Sequence, residues 1–180
     1  MSPRADARLG RRLRDAIRDV PDFPEPGILF RDIMPVLADP GLFADVIRAF
    51  REAAADRVVD KVVGIESRGF ILAAPLALEI GAGFVAARKP GKLPGPTHRL
   101  DYALEYGSDA LEIQAGAIRE GDRIFLVDDV LATGGTASAA ARLIARLGGS
   151  VQLAAFMVEL EALNGRRRLE DLEMISFLRL

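Results

Sequence analysis

Asp128 and Asp129 are adjacent carboxylates, and Thr133-Gly134-Gly135-Thr136 follows them closely in the chain. The acidic pair can accept hydrogen bonds from two vicinal hydroxyls, as a ribose diol requires, or sit near a magnesium ion held by a substrate pyrophosphate. The 133–136 run offers consecutive backbone N–H groups, two hydroxyls and a helix start, and its glycines let an anion approach the backbone closely. Ahead of the pair, Ile124-Phe-Leu-Val127 reads as an interior strand. Behind it, the alanine-rich run 137–147, closed by Gly148-Gly149, reads as a helix. The whole motif then lies at a strand's carboxyl end, the ligand side of an open α/β sheet. Asp-Asp or Thr-Gly-Gly alone is better read as an acidic helix entry or a tight turn. Together in this setting they form a cradle for a ribose 5-phosphate.

Four further segments carry chemistry. Gly64-Ile-Glu66-Ser67-Arg68-Gly69 joins a strand to a helix, where backbone amides and the Arg68 fork can meet a pyrophosphate. An equally good local reading makes Ser67 a helix cap and leaves Arg68 in solvent. Arg88-Lys89-Pro-Gly-Lys92 holds two of only three lysines in a chain with 21 arginines. Compact ammonium groups at Lys89 and Lys92 suit a departing pyrophosphate, and the plainer reading is a solvated loop. In Leu100-Asp-Tyr102-Ala-Leu-Glu105-Tyr106-Gly107, the tyrosines and Leu104 would share one face of a half-buried strand, with Glu105 on the other. Pro24-Glu-Pro-Gly27-Ile-Leu29-Phe30-Arg31-Asp32 reads as a turn and a short strand. There Phe30 is either core or a free aromatic face, and Arg31 pairs with Asp32 or another acid. His98 is read as an exposed loop residue.

These segments need a scaffold, and the periodicity supplies one. Helices are predicted over 6–18, 40–54 (with Asp39 as cap and Pro40 at the first helical position), 69–80 and 136–147. Strands are predicted over 61–65, 83–87, 124–127 and 151–158, with a hairpin from Tyr102 to Ile113 turning at Gly107-Ser108-Asp109. Residues 20–27 form an irregular connector. The fold class is α/β: a mostly parallel open sheet of about five strands flanked by helices, in one domain spanning 1–180. A chain of 180 residues, half of them hydrophobic, buries a substantial core without staples. The net charge of -2 gives no drive toward nucleic acid or membrane. The absence of cysteine excludes disulfides, thiol catalysis and thiolate zinc sites, and one histidine cannot make a zinc site. With no signal-like N-terminus, a cytoplasmic location is expected. The apolar stretch from Phe70 to Ala87 is interrupted by Pro75, Glu79 and two glycines, which suits a buried helix and strand better than a membrane span.

Val127-Asp-Asp-Val-Leu-Ala-Thr-Gly-Gly-Thr136 resembles the phosphoribosyl pyrophosphate (PRPP) motif of type I phosphoribosyltransferases, and its Leu-Ala-Thr-Gly-Gly-Thr form resembles the adenine-specific branch. Enzymes for 6-oxopurines usually carry an acid where this chain has Ala132. The resemblance runs from Phe23 to about Gly165, with the motifs in the expected order. It implies transfer of phosphoribosyl from PRPP to adenine, giving AMP and pyrophosphate with Mg2+, in purine salvage. By that likeness Asp128, Asp129, Ala132, Thr133, Gly134, Gly135 and Thr136 bind the ribose and its 5′-phosphate. Glu66, Ser67, Arg68, Lys89 and Lys92 form the pyrophosphate side, with a cis peptide at Glu66-Ser67. Residues 1–35 form an N-terminal helix and hood, in which Phe30 stacks on the base while backbone groups of Leu29 and Arg31 read the adenine edge. Glu105 and Tyr106 belong to a mobile catalytic lid, although Asp101 stands where that loop often has Ser. Arg68 and Lys89 join Glu105 and Tyr106 in catalysis, and Mg2+ is held mainly by PRPP, near Asp128 and Asp129. A homodimer is expected, with no nucleic-acid partner. The alternatives are a transferase for another base such as xanthine, and a regulator that senses PRPP or nucleotide without turnover.

Overall fold

The computed structural model describes residues 3–103 and 108–180. In chain order the elements are α1 (Pro3–Ala16), β1 (Arg18–Pro21), β2 (Leu29–Asp32), α2 (Met34–Ala38), α3 (Pro40–Ala53), β3 (Lys61–Ile65), α4 (Arg68–Ile80), β4 (Gly83–Ala87), β5 (Thr97–Ala103), β6 (Ser108–Gln114), β7 (Arg123–Leu131), α5 (Gly135–Arg146), β8 (Ser150–Glu159) and β9 (Met174–Arg179). Two short 3-10 turns, Glu161–Leu163 and Gly165–Leu169, connect β8 to β9.

Five strands form one sheet in the order β4-β3-β7-β8-β9, and every neighbouring pair is parallel. Both faces are covered, which is why the strands read as unbroken apolar runs rather than alternating ones. Val62, Phe125, Val127, Leu153 and Ala155 are buried with α1 to α4. Val63, Ile65, Ile124, Leu126 and Phe156 are buried on the other face with α5 and the β5–β6 hairpin. Phe50 of α3 meets Phe125 and Phe177 edge-on, with ring centroids 6.4 and 5.0 Å away. Asp39 caps α3 as expected, its carboxylate accepting from Leu42 N–H at 2.8 Å.

Strand order determines where chemistry can happen. From β3 the chain goes first to β4 on one side and later to β7 on the other, so the crossover direction reverses between β3 and β7. At such a switch point the loops leaving the carboxyl ends diverge and open a crevice. The ends of β4, β3 and β7 bring residues 88–92, 66–68 and 128–136 side by side.

Several boundaries differ from expectation. The strand predicted over 124–127 extends through Asp128 and Asp129 to Leu131, because its pairing with β8 continues to Leu131 opposite Glu159. The first helix ends at Ala16, since Arg18–Pro21 pairs with β2 as a two-stranded ribbon; Val20 and Pro21 are therefore strand, not connector. Ser108 and Asp109 lie in β6, opposite Ala103 and Tyr102, rather than in a turn. His98 is exposed but pairs with Ile113 within β5. Helix α2 and strand β9 were not predicted at all. Strand β9 is a half-buried edge strand, whose signal is weaker than that of the interior strands.

Candidate active site

Asp128 and Asp129 lie near the carboxyl end of the central strand β7. Asp129 is buried, with 3% of its surface exposed, and Asp128 is half-buried. The Asp128 carboxylate accepts the Asp129 N–H at 2.9 Å. Burial and then repulsion from Asp129 push the Asp128 carboxyl well above the usual carboxylate range. Asp129 is also raised by burial, against the pull of Arg68. Arg68 Nε lies 2.8 Å from Asp129 Oδ2, yet that oxygen accepts no aligned hydrogen bond among the described residues. It is therefore a desolvated acceptor awaiting a donor or cation.

The glycine-rich loop follows directly. Gly134 adopts φ +77 and leads into α5, and a cavity of about 80 Å3 is lined by Asp128 and residues 130–137. A Cβ on Gly134 would lie 2.3 Å from the Gly165 carbonyl oxygen, so the loop is backed by the 165–169 turn through backbone contact alone. On the other side α4 begins equally close: a Cβ on Gly69 would fall 2.8 Å from Asp128 Oδ1. The first approach packs the start of α5 on the 165–169 turn, and the second holds the start of α4 against Asp128.

The 66–68 loop has its Glu66-Ser67 peptide bond cis, as the resemblance implied. Ser67 is exposed and makes no side-chain cap bond to α4. Glu66 is tied down: its carboxylate receives Arg88 Nη2 at 3.1 Å and the Lys89 N–H at 2.9 Å. The Arg88 guanidinium accordingly holds the Glu66 carboxyl below its ordinary value. Glu66 thus braces the 88–92 loop through Arg88 and the Lys89 N–H. Arg88 also donates to the Lys92 carbonyl at 2.9 Å, and Lys89 and Lys92 are both exposed.

The hood reaches the same crevice. The Arg68 guanidinium carbon stands 5.4 Å from the Phe30 ring centroid, and Phe23 meets Phe30 edge-on at 5.1 Å. Phe30 is half-buried rather than core, and Arg31 pairs with Asp19 across the ribbon, not with Asp32. Leu29 is exposed. Glu105 and Tyr106 lie outside the described residues. Sequence reasoning missed Asp109, which is placed by strand register, and the Glu159–Arg166 pair, which depends on how the 165–169 turn folds back on the end of β8; neither has a local motif. Asp109 receives Lys89 Nζ at 2.8 Å, and Glu159 receives Arg166 Nη2 at 2.6 Å.

The fold and this crevice define a class: the chain belongs to the phosphoribosyl transferase domain family, whose model matches residues 35–177. Adenine-specific members are among its relatives. It is 58% identical over 166 residues to adenine phosphoribosyltransferase of Anaeromyxobacter dehalogenans (strain 2CP-1), covering 92% of this chain and 96% of that relative. It is 54% identical over 161 residues to adenine phosphoribosyltransferase of Synechococcus sp. (strain RCC307), covering 89% and 91%. Among solved structures, adenine phosphoribosyltransferase of Thermoanaerobacter pseudethanolicus superposes with a TM-score of 0.92 at 46% identity, over 94% of this chain and 99% of that one. The Saccharomyces cerevisiae enzyme, complexed with an imino-altritol bisphosphate and adenine, gives 0.89 at 42% identity, over 95% and 99%.

Proposed function

We propose that this chain is an adenine phosphoribosyltransferase, transferring the 5-phosphoribosyl group of PRPP to adenine to give AMP and pyrophosphate in purine salvage. One observation carries the reading: a single guanidinium, Arg68, lies against both Asp129 and Phe30. An acid of the proposed ribose site and the aromatic ring of the proposed base site thus neighbour one cation, which supports a reading with the ribose between base and pyrophosphate.

The chemical demand is to support an oxocarbenium-like ribose while pyrophosphate leaves C1 and a purine nitrogen attacks. Positioning and charge stabilisation supply most of this. Asp128 and Asp129 accept the ribose hydroxyls, and the N–H groups and hydroxyls of residues 133–136 hold the 5′-phosphate. Arg68, Lys89 and Lys92 face the departing pyrophosphate, with Glu66 and Ser67 shaping that loop. Phe30 stacks on the base. Leu29 and Arg31, two residues apart on a ribbon strand, direct their backbone groups to one edge, where a donor and acceptor can distinguish an amino from an oxo purine. Glu105 is the candidate general acid/base toward the purine, with Tyr106 beside it in the lid.

The donor set also fits Mg2+. Among the described residues no cluster of three or more acids and histidines that could hold a metal exists, and the Asp128–Asp129 pair is the donor set they offer at this site. A magnesium ion bound through one or two carboxylates takes its other ligands from water and substrate phosphates. When bound with PRPP, it neutralises charge on the leaving pyrophosphate. We place the protein in the cytoplasm; no helix of the described residues is long and apolar enough to cross a membrane.

Assaying pyrophosphate release from PRPP with adenine, hypoxanthine, guanine and xanthine tests the reading. Adenine should be favoured by about 100-fold or more, since a mismatched base leaves buried polar groups unpaired. Comparable use of hypoxanthine or xanthine would overturn the base assignment, and no release with any base would favour the sensing alternative.

A further inference from the structure

The hairpin facing α5 carries a carboxylate that no role above uses. Register places Asp109 directly opposite Tyr102, so their side chains are neighbours on one face of the ribbon. Asp109 Oδ1 accepts the Ala110 N–H at 2.8 Å. Its Oδ2 accepts Lys89 Nζ at 2.8 Å and the Tyr102 hydroxyl at 3.3 Å. The Tyr102 hydroxyl in turn lies 3.2 Å from Thr136 Oγ1, at the head of α5. One chain of polar contacts therefore links the lysine of the pyrophosphate side to the threonine of the 5′-phosphate loop.

We propose that Asp109 is a positioning residue, which holds the Lys89 ammonium in register with the 5′-phosphate loop so that it meets the pyrophosphate as that group departs. This rests on the phosphoribosyltransferase reading of the same site. Lys89 is a flexible side chain with 59% of its side-chain surface exposed, and without a fixed partner it would sample many rotamers. Apart from Lys89, Asp109 is fixed by two donors of the hairpin, the Ala110 N–H and the Tyr102 hydroxyl, so it can transmit the geometry of the hairpin to that ammonium. The pair supports this electrostatically: the Asp109 hydrogen bond raises Lys89 above its ordinary value, and Lys89 lowers Asp109.

The role predicts an unusual split. Replacing Asp109 with Asn keeps the shape but removes a negative charge from a site that binds a polyanion. Ground-state attraction for PRPP is then retained or strengthened, while alignment at the leaving group is lost. The experiment is steady-state kinetics of the full chain at saturating adenine, for Asp109→Asn, Asp109→Glu, Lys89→Ala and the Asp109→Asn/Lys89→Ala double variant.

Asp109→Asn should lower kcat about 10-fold, equivalent to about 1.4 kcal/mol of transition-state stabilisation, with KM for PRPP unchanged or lower. Asp109→Glu, which restores the charge, should recover part of that loss. In the Lys89→Ala background the Asn substitution should cost less than about two-fold, because the two residues act as one unit. Multiplicative losses in the double variant, or a raised KM with kcat intact, would overturn the positioning role. Loss of structure alone would show as a lowered melting temperature with no rescue by Glu, which also counts against it. The wild-type rate is a separate check: a wild type inactive with every base sinks the transferase reading, whereas an active wild type with a multiplicative cycle sinks only the role of Asp109.

Discussion

Arg68 has two neighbours of opposite kind, the Asp129 carboxylate at 2.8 Å and the Phe30 ring at 5.4 Å. Its charge cannot fully compensate a carboxylate that burial has desolvated, and Asp129 stays raised. A ligand hydroxyl or cation arriving at Oδ2 therefore finds an acceptor without competition from water. Asp129→Asn should raise KM for PRPP by at least about 10-fold, as loss of one charge-assisted hydrogen bond of about 1.5 to 3 kcal/mol requires. Because the substitution removes a buried charge, the melting temperature should not fall. Unchanged kinetics for a folded variant would remove Asp129 from the cradle. Asp128, Asp129 and the 133–136 run were legible in the sequence because they are contiguous, so strand, turn and helix signals fix their placement together. Asp109 was not: with the turn placed at 107–109, it had no reason to face Lys89, and only the pairing of Tyr102 with Asp109 brings them together.

Among elements, the carboxyl end of β8 does for the phosphate loop what no single residue does. Glu159, 5% exposed, accepts two bonds from Arg166, at 3.0 and 2.6 Å, and one from the Ser176 hydroxyl at 2.6 Å. It thereby joins β8, β9 and the 165–169 turn, whose Gly165 backs Gly134. Arg166 holds the Glu159 carboxyl below its ordinary value. A carboxylate lowered on folding contributes stability above its unfolded pKa, and that contribution is lost as pH falls through the folded value. In Arg166→Ala, Glu159 is left partly paired, so acid unfolding should begin at a higher pH. The neutral-pH melting temperature should fall by about 2–4 °C for each kcal/mol lost in a chain of this size. KM for PRPP should rise with little change in kcat, since the turn supports phosphate binding rather than the reacting atoms. A melting curve and acid transition identical to wild type would show that the pair does not brace the loop. Strands β3, β4, β7 and β8 were readable from their apolar runs, but β9 and this buttress were not, because a half-buried edge strand and an ion pair from a strand end to a following turn leave only faint local patterns.

On the scale of the whole molecule, apolar surface remains uncovered on the side that carries β4 and α4. Leu78 is 85% exposed, with Ile71 at 40% and Phe84 at 42%, and Leu78 also lines a groove with Pro40, Phe43, Ile47 and Pro75, rimmed by Arg48, Arg51 and Glu79. Strand β4 is also an edge of the main sheet, and its carboxyl end feeds the loop holding Arg88 and Lys89. Exposed apolar residues on α4 and β4 suit an interaction surface, and the homodimer expected from the sequence would make a second copy of this chain its occupant. Such pairing, being isologous, would bring each protomer's Arg88 segment toward the other's site. Sedimentation of the wild type should give twice the chain mass at assay concentration. Leu78→Asp places a charge in the buried centre of that contact, where it has no partner and is costly to desolvate. The variant should sediment as a monomer at micromolar concentration with its melting curve still cooperative. If the partner's segment supports the pyrophosphate loop, activity should fall in parallel with the dimer fraction, and high protein concentration should recover it. A monomeric variant with full activity would separate assembly from catalysis, and a dimer indifferent to Leu78→Asp would move the interface to another face.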